Sequence, residues 1–248
     1  KALAIKDFKC FFRDTTQWSQ LILLSALVVV YLYNFSVLPL DKSPLPTFFL
    51  QNLLSFLNMG LAGFVLSAVA GRFVFPAVSL EGSSFLIIRS SPVSLRSFLR
   101  SKFWMSLLPL LILAEVLIFL SNYFLRVSPF MMILSAVTIF FMTFGIVSLG
   151  IGVGAIYPRF RVENAAQIAS GFGGFFYMIL SMLFIGGIVI LEAWPVYTIF
   201  MAEFHHRALS FLEWTGIALS FTGAAVLMGV AVIVPMRMGL KKISAMDF

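Results

Sequence analysis

Six long apolar stretches, with positive charges gathered on alternating sides of them, constrain this chain to a polytopic, all-α membrane protein. The stretches run from Trp18 to Leu38, Phe48 to Ala70, Phe103 to Leu125, Phe130 to Ile156, Ile168 to Leu191 and Gly216 to Pro235. Each has the ~20 apolar residues needed to cross ~30 Å of hydrocarbon at 1.5 Å per helical residue. Lipid offers no hydrogen-bond partner to a peptide group, so each span must satisfy its own amides as a helix. The composition agrees: 61% of residues are hydrophobic, 11% are charged and 29 are phenylalanine, far from the globular average.

The orientation follows from the basic residues. Fourteen of the 17 lysines and arginines fall in the N-terminal segment, the second-to-third connection, the fourth-to-fifth connection and the C-terminal tail. The remaining connections carry only Lys42, Arg126 and Arg207. This asymmetry places both termini in the cytoplasm and the chain in the plasma (inner) membrane. The net charge of +7 sits in short loops rather than on a basic face interleaved with exposed aromatics, which argues against nucleic acid as a partner. The single cysteine, Cys10, excludes an intrachain disulfide and a cysteine-based zinc site. No cleavable signal peptide is visible, and a start at Lys1 suggests part of a longer polypeptide.

Residues 1–17 carry Ala4, Ile5, Phe8, Phe11 and Phe12 at helical spacing, with Lys6, Lys9, Arg13 and Asp14 on other faces. This pattern predicts an amphipathic helix at the cytoplasmic interface; the blander alternative is a basic flank that orients the first span. The loop 39–47, with Pro39, Pro44 and Pro46, reads as a tight external turn. Residues 73–102 form a cytoplasmic connection longer than a helical hairpin needs. Pro76 ends the preceding helix there, and a short helix is expected from Ser79-Leu80-Glu81 to Arg89, with Phe85 in its apolar content. Ser91-Pro92 reads as an N-cap and first helical residue launching the third span. Such an element is either a docking site for a soluble partner or an interfacial re-entry without one.

Within the third span, Glu115 lies among leucine, isoleucine and valine. A carboxylate at mid-membrane costs about 2.5–3.5 kcal/mol on insertion scales. It is therefore expected to face the bundle interior, be protonated or find a donor, as a proton relay, a substrate contact or a structural glutamate. Spans four and five are rich in glycine, and Gly150 with Gly154 forms a GxxxG pair suited to close helix approach. Between these spans, Glu163 and Asn164 can cap the fifth. Residues 192–214 are aromatic, interrupted by Pro195, Glu203, His205, His206, Arg207 and Glu213, and are expected to form one or two short helices dipping into the outer leaflet. Trp194, Tyr197 and Trp214 would lie at headgroup level. Residues 237–248 read as a basic cytoplasmic tail, leaving 18–236 as the transmembrane domain.

Several chemistries are absent from the pattern. No G-x-x-x-x-G-K-[ST] loop occurs, so a nucleotide cannot be cradled in the P-loop manner. Adjacent histidines at 205 and 206 would point about 100° apart on a helix and lack the spacing that lets two bind one ion, so no metal or resident cofactor is expected. Ser170-Gly171 lacks a histidine within a span to activate the serine, which argues against an intramembrane hydrolase.

The order of elements resembles the ABC-2 type permease fold, and two stretches carry the resemblance. One is Arg72-Phe73-Val74-Phe75-Pro76 through Ser79-Leu80-Glu81-Gly82 to Arg89-Ser90-Ser91-Pro92-Val93-Ser94. The other is Tyr157-Pro158-Arg159-Phe160 followed by Glu163-Asn164-Ala165-Ala166-Gln167-Ile168-Ala169-Ser170-Gly171-Phe172-Gly173-Gly174. Both are similar to bacterial exporter permeases, and the similarity covers nearly all of the chain as the C-terminal six-helix half. The resemblance implies a membrane subunit that moves a substrate using ATP and magnesium bound by a separate ATPase subunit; it leaves the substrate open, and only the apolar spans, with few polar lining candidates, hint at an amphipathic or lipid-like one. The chain itself would then be no enzyme, and would pair with a second six-helix half or a second copy of itself. It further implies that Leu80, Glu81, Gly82, Phe85 and Arg89 belong to the ATPase-coupling helix, with Glu81 and Arg89 as its polar anchors. Trp194, Pro195, Glu203 and His205 would belong to an external gate formed by the re-entrant hairpin. Glu115 matches no family motif. The competing readings are a proton-coupled secondary transporter half acting through Glu115 and a non-transport scaffold that recruits a cytoplasmic protein through residues 73–102.

Overall fold

Apolar runs of this length yield helices, and a computed structural model shows helices throughout. It describes residues 15–37, 47–82, 85, 90, 94–160, 162, 164–205 and 207–246. The elements are α1 (Thr15–Ser36), α2 (Thr47–Phe73), two 3-10 turns (Phe75–Ala77 and Ser79–Glu81), α3 (Leu95–Leu125), α4 (Pro129–Ile156), α5 (Ala165–Ala169), α6 (Phe172–Phe204) and α7 (Phe211–Ser244). No strand occurs among the described residues. Five helices, α2, α3, α4, α6 and α7, are long and apolar enough to cross a membrane. The expected count of six is not reached among the described residues: α1 covers the first expected span and packs against α3, but is not one of the five. The interfacial helix expected over 1–17 lies almost wholly outside the described residues, as do most of the loop 39–47 and Arg89.

The distribution of side chains is inverted relative to a water-soluble fold. Leu57, Leu61, Leu108, Ile112, Leu183, Ile190, Leu219 and Val226 are exposed, while Asn52, Ser55, Asn58, Ser121, Asn122, Ser135 and Thr143 are buried. Apolar surface on this scale is tolerated where lipid, not water, is the solvent. A helical membrane protein is what these helix lengths and this inversion fit.

Helix ends are set by local chemistry. Ser94 caps α3 by accepting the Ser97 amide at 3.3 Å; Ser91-Pro92, expected to launch this span, lie outside the described residues. Ser128 caps α4 with Pro129 in its first turn, and Asn164 caps α5, as expected, by accepting the Ala166 amide at 2.9 Å. The fifth span does not begin at Ile168. Ser170 and Gly171 separate α5 from α6, and the Ala169 carbonyl abuts Gly174 where a Cβ would stand. Residues 192–204 are not a separate re-entrant element either. α6 continues through Pro195 to Phe204, and α7 begins at Phe211, capped by a Ser210–Glu213 capping box. Each of these helices, at 33 and 34 residues, is about 50 Å long, so the polar tips extend the spans beyond the hydrocarbon. Likewise α7 continues to Ser244, with Lys241 and Lys242 in its last turn. The basic tail is therefore largely a helix end, where cations favour the dipole.

At the centre, α4 packs against α2, α3, α6 and α7. Its glycines permit the approach expected of the GxxxG pair. Gly154 meets the Phe75 carbonyl and Gly150 meets Val74, while Gly152 faces Pro235 of α7 at 2.5 Å from its would-be Cβ. By contrast, Gly186 has nothing within 4 Å of a would-be Cβ. Gly152→Ala should therefore lower the thermal unfolding midpoint in detergent by several degrees. Gly186→Ala should leave it unchanged or raise it slightly, since removing a helical glycine contributes about 0.5–1 kcal/mol. Equal shifts for both variants would show that the α4–α7 contact is not close-packed.

Candidate functional site

Four helices meet at the basic end of the bundle, and the two 3-10 turns between α2 and α3 fill the corner between them. Gly82, at φ +51°, turns the chain there in a conformation that favours glycine. The Ser79 hydroxyl accepts the Arg159 amide at 3.0 Å, tying this turn to the end of α4. Phe75 stacks on Tyr177 of α6 with centroids 5.9 Å apart. Phe85 stacks on Phe160 at 4.7 Å and meets Phe98 of α3 edge-on at 5.9 Å. The Glu81 carboxylate pairs with Lys102 of α3 at 2.5 Å, both side chains being at most 10% exposed. The Lys102 ammonium also lies 5.8 Å from the Phe98 ring centroid, within range of a cation–π contact.

This geometry changes the reading of the expected coupling residues. Glu81 and Phe85 point inward, so neither can anchor a partner by direct contact; they hold the corner together. Leu80 is the exposed member at 38%, and Gly82 is half-buried beside it. The chain reaches this corner through tight 3-10 turns, with Glu81 ending the second, rather than entering a helix at Ser79.

Toward the opposite end lies a buried hydrogen-bonded cluster that single-residue inspection of the sequence did not reveal. Ser55 donates to Asn122 Oδ1 at 2.6 Å, and Asn122 Nδ2 donates to Ser135 at 2.7 Å. Asn58 Nδ2 donates to Ser121 at 2.7 Å, and the Tyr31 hydroxyl donates to Asn58 Oδ1. Asn52 Oδ1 accepts the Ser128 amide at 2.9 Å. α1, α2, α3 and α4 are thereby joined through neutral groups whose polar atoms are paired, as burial in a low-dielectric interior requires.

Glu192 was assigned to the external segment, yet it is only 2% exposed and lies between α6 and α4. Thr138 Oγ1 donates to both its carboxyl oxygens, at 2.9 and 3.0 Å. The only sequence signal was the unbroken apolar run from Phe172 into Trp194 on either side of it. Glu115 is half-buried on α3 and has no hydrogen bond or ion pair among the described residues, so the donor expected of it is not found among them. The candidate gate residues are spread along α6. Trp194 packs against Gly216 of α7, Pro195 is buried, and Glu203 and His205 are exposed near the tip. His205 Nδ1 contacts the Met201 carbonyl at 2.9 Å. His206 lies outside the described residues, and among those described no cluster of His, Cys, Asp and Glu could hold a metal ion. Nearby, Arg207 forms a forked pair with Glu213 at 2.5 and 3.2 Å, and that hydrogen bonding holds the guanidinium above its ordinary pKa.

The family described as "Putative ATP-binding cassette" matches residues 1–248, the whole chain. No curated protein and no solved structure matches. The family match overturns two expectations. The chain was read as an exporter permease subunit of the ABC-2 type that leaves ATP to a separate subunit, whereas the family spanning all of it is described as an ATP-binding cassette. The expectation that it is no enzyme falls with that reading. The missing P-loop sequence excludes one way of holding phosphates, and that exclusion was extended too far.

Two stability differences follow from this geometry. Glu81→Gln or Lys102→Met alone removes one half of a buried ion pair and should cost about 3 kcal/mol or more, while Glu81→Leu with Lys102→Met should recover most of the loss. Thr138→Val should cost about 1–3 kcal/mol by stripping Glu192 of its donor, and Glu192→Gln should cost less. Chemical unfolding in mixed micelles measures both; a double variant at 81 and 102 no better than the singles would contradict the ion-pair account.

Proposed function

Because this chain belongs to the putative ATP-binding cassette family along its whole length, we propose that it is a membrane-embedded component of an ATP-binding-cassette transport system. In this reading the basic end faces the cytoplasm, and nucleotide-dependent movement enters the bundle through the corner around Leu80, Glu81, Gly82 and Phe85. The observation that carries it is that the turns following α2 are tied there to α3 by the Glu81–Lys102 ion pair, to the segment after α4 by the Phe85–Phe160 stack and to α6 by Phe75 on Tyr177. A displacement of exposed Leu80 would move Glu81 with it, and through Lys102 the start of α3. A second helical half would pack along α7, the least enclosed of the five long helices. The tips of α6 and α7, with Trp194, Pro195, Glu203 and His205, would form the closure at the opposite end.

The test is site-directed labelling in native membranes. With Cys10→Ser as background, Leu80→Cys should change its maleimide labelling rate at least twofold on adding Mg–ATP, and not on adding magnesium alone. A cysteine at Leu219, exposed on α7, should be indifferent. Labelling at Leu80 that ignores every nucleotide would remove the support for this reading.

A further inference from the structure

We propose that α3 carries a binding site for an anionic phospholipid, its phosphate held by Arg96 and Arg100 and its acyl chains laid along the helix below them. Arg96, Arg100, Trp104, Leu108, Ile112 and Val116 form one unbroken row at i, i+4 spacing, and every member is exposed. Side chains four apart on a helix are neighbours, so the two guanidiniums stand together above the Trp104 indole, which is 57% exposed. Exposed tryptophan and tyrosine mark the levels at which hydrocarbon gives way to headgroups. Along α3 those markers are Trp104 and Tyr123, both more than half exposed. Nineteen residues separate them, or about 28 Å of helix rise, which matches the hydrocarbon thickness. Arg96 and Arg100 then fall at phosphate level on that side, with the apolar row beneath them facing acyl chains.

The charge balance favours an anionic headgroup. The acid described at this end, Glu81, is buried and engaged with Lys102, and neither Arg96 nor Arg100 has an acidic partner among the described residues. Guanidinium groups bind phosphate oxygens with paired hydrogen bonds, and a zwitterionic lipid brings its own cation to compete for the same oxygens. A second exposed row, Val226, Val230, Val234, Met238 and Lys242, runs along α7. It offers one cation and no aromatic at the boundary, so it serves as the internal comparison. The proposal rests on the membrane reading of the bundle, not on its link to ATP.

Native mass spectrometry of the full chain released from detergent tests it, with phosphatidylglycerol titrated against phosphatidylcholine of the same acyl chains. The expected result is tighter binding of phosphatidylglycerol. At about 1 kcal/mol per arginine near the surface, Arg96→Gln with Arg100→Gln should weaken it by about 25-fold. Arg96→Lys with Arg100→Lys should retain most of it, and Trp104→Ala should weaken both lipids. All these side chains are exposed, and unchanged thermal unfolding of the variants confirms intact folding. Equal binding of the two lipids would overturn the proposal, as would full retention in the double glutamine variant or a loss confined to Lys242→Gln. Competition by millimolar inorganic phosphate would also overturn it, by showing a site for a soluble anion instead.

Discussion

Gly150, Gly152 and Gly154 stand two residues apart on α4, so the first and last share one side of the helix and the middle one faces the other. Two neighbours can therefore approach the same short stretch at backbone distance. On one side come Val74 and the Phe75 carbonyl; on the other come Pro235 and Gly239 of α7, with Gly239 close to the Gly152 carbonyl. Hydrocarbon supplies no hydrophobic drive between helices, so association rests on close packing and interhelical hydrogen bonds. With a larger residue at Gly154, the 3-10 turn at Phe75 could not seat against α4. Glu81, six residues further on, would then not reach Lys102. The corner that joins four helices thus depends on the missing side chains of one of them.

The two ends of the bundle solve the burial of polar groups differently. At the basic end a formal ion pair is enclosed by aromatic rings, and separating it strands a charge, which is costly in a low-dielectric interior. At the opposite end, serine, asparagine and tyrosine exchange neutral hydrogen bonds, each contributing about 1 kcal/mol net, and a lost bond there can be replaced by another neutral partner. In a transport system, such a contrast would let the corner move as one piece while the far ends of α1 to α4 change partners.

The long spans were legible because each is a run of some twenty apolar residues, with a charge asymmetry between loops that no soluble fold requires. Their ends were not. Ser91 and Ser94 are both serines ahead of an apolar run, and the capping bond of Ser94 to the Ser97 amide is not written in the sequence. The break at Ser170-Gly171 lies within a segment that reads as continuous, because the steric demand of Gly174 against Ala169 belongs to the folded chain. The polar cluster was invisible for a related reason. Asn58 meets Ser121 and Ser55 meets Asn122 across more than sixty residues of sequence, and an isolated serine in an apolar run carries no periodic signal. Glu192 falls in the segment expected outside because Pro195 and the charges after it look like the end of a span, whereas α6 carries both Glu192 and Pro195 within one helix. The connection after α2 was legible as a region apart from the spans, but the direction of its side chains was not: Glu81, expected as a polar anchor, is an internal tie to Lys102. Subunit type is less legible still: element order and the absence of a phosphate loop point to a permease, and the family description runs against it.

Depth explains most of the placement of charge. On α3, Lys102 lies two residues from Trp104, about 3 Å of helix rise, so the ion pair with Glu81 is buried at the level where headgroups begin. Glu192 lies two residues before Trp194 at the far boundary, enclosed by protein and paired with Thr138. Arg207 and Glu213 lie beyond that boundary and are free to pair in the fork they form. Near a boundary, residual access to headgroups and water lowers the cost of each charge. Glu115 is the exception. It stands eleven residues from Trp104, about 16 Å along α3, near the middle of the hydrocarbon and half-buried beside exposed Ile112 and Val116. Insertion scales put the cost of an acid at that depth at about 2.5–3.5 kcal/mol, and the glycine-seated packing of α4 must offset it.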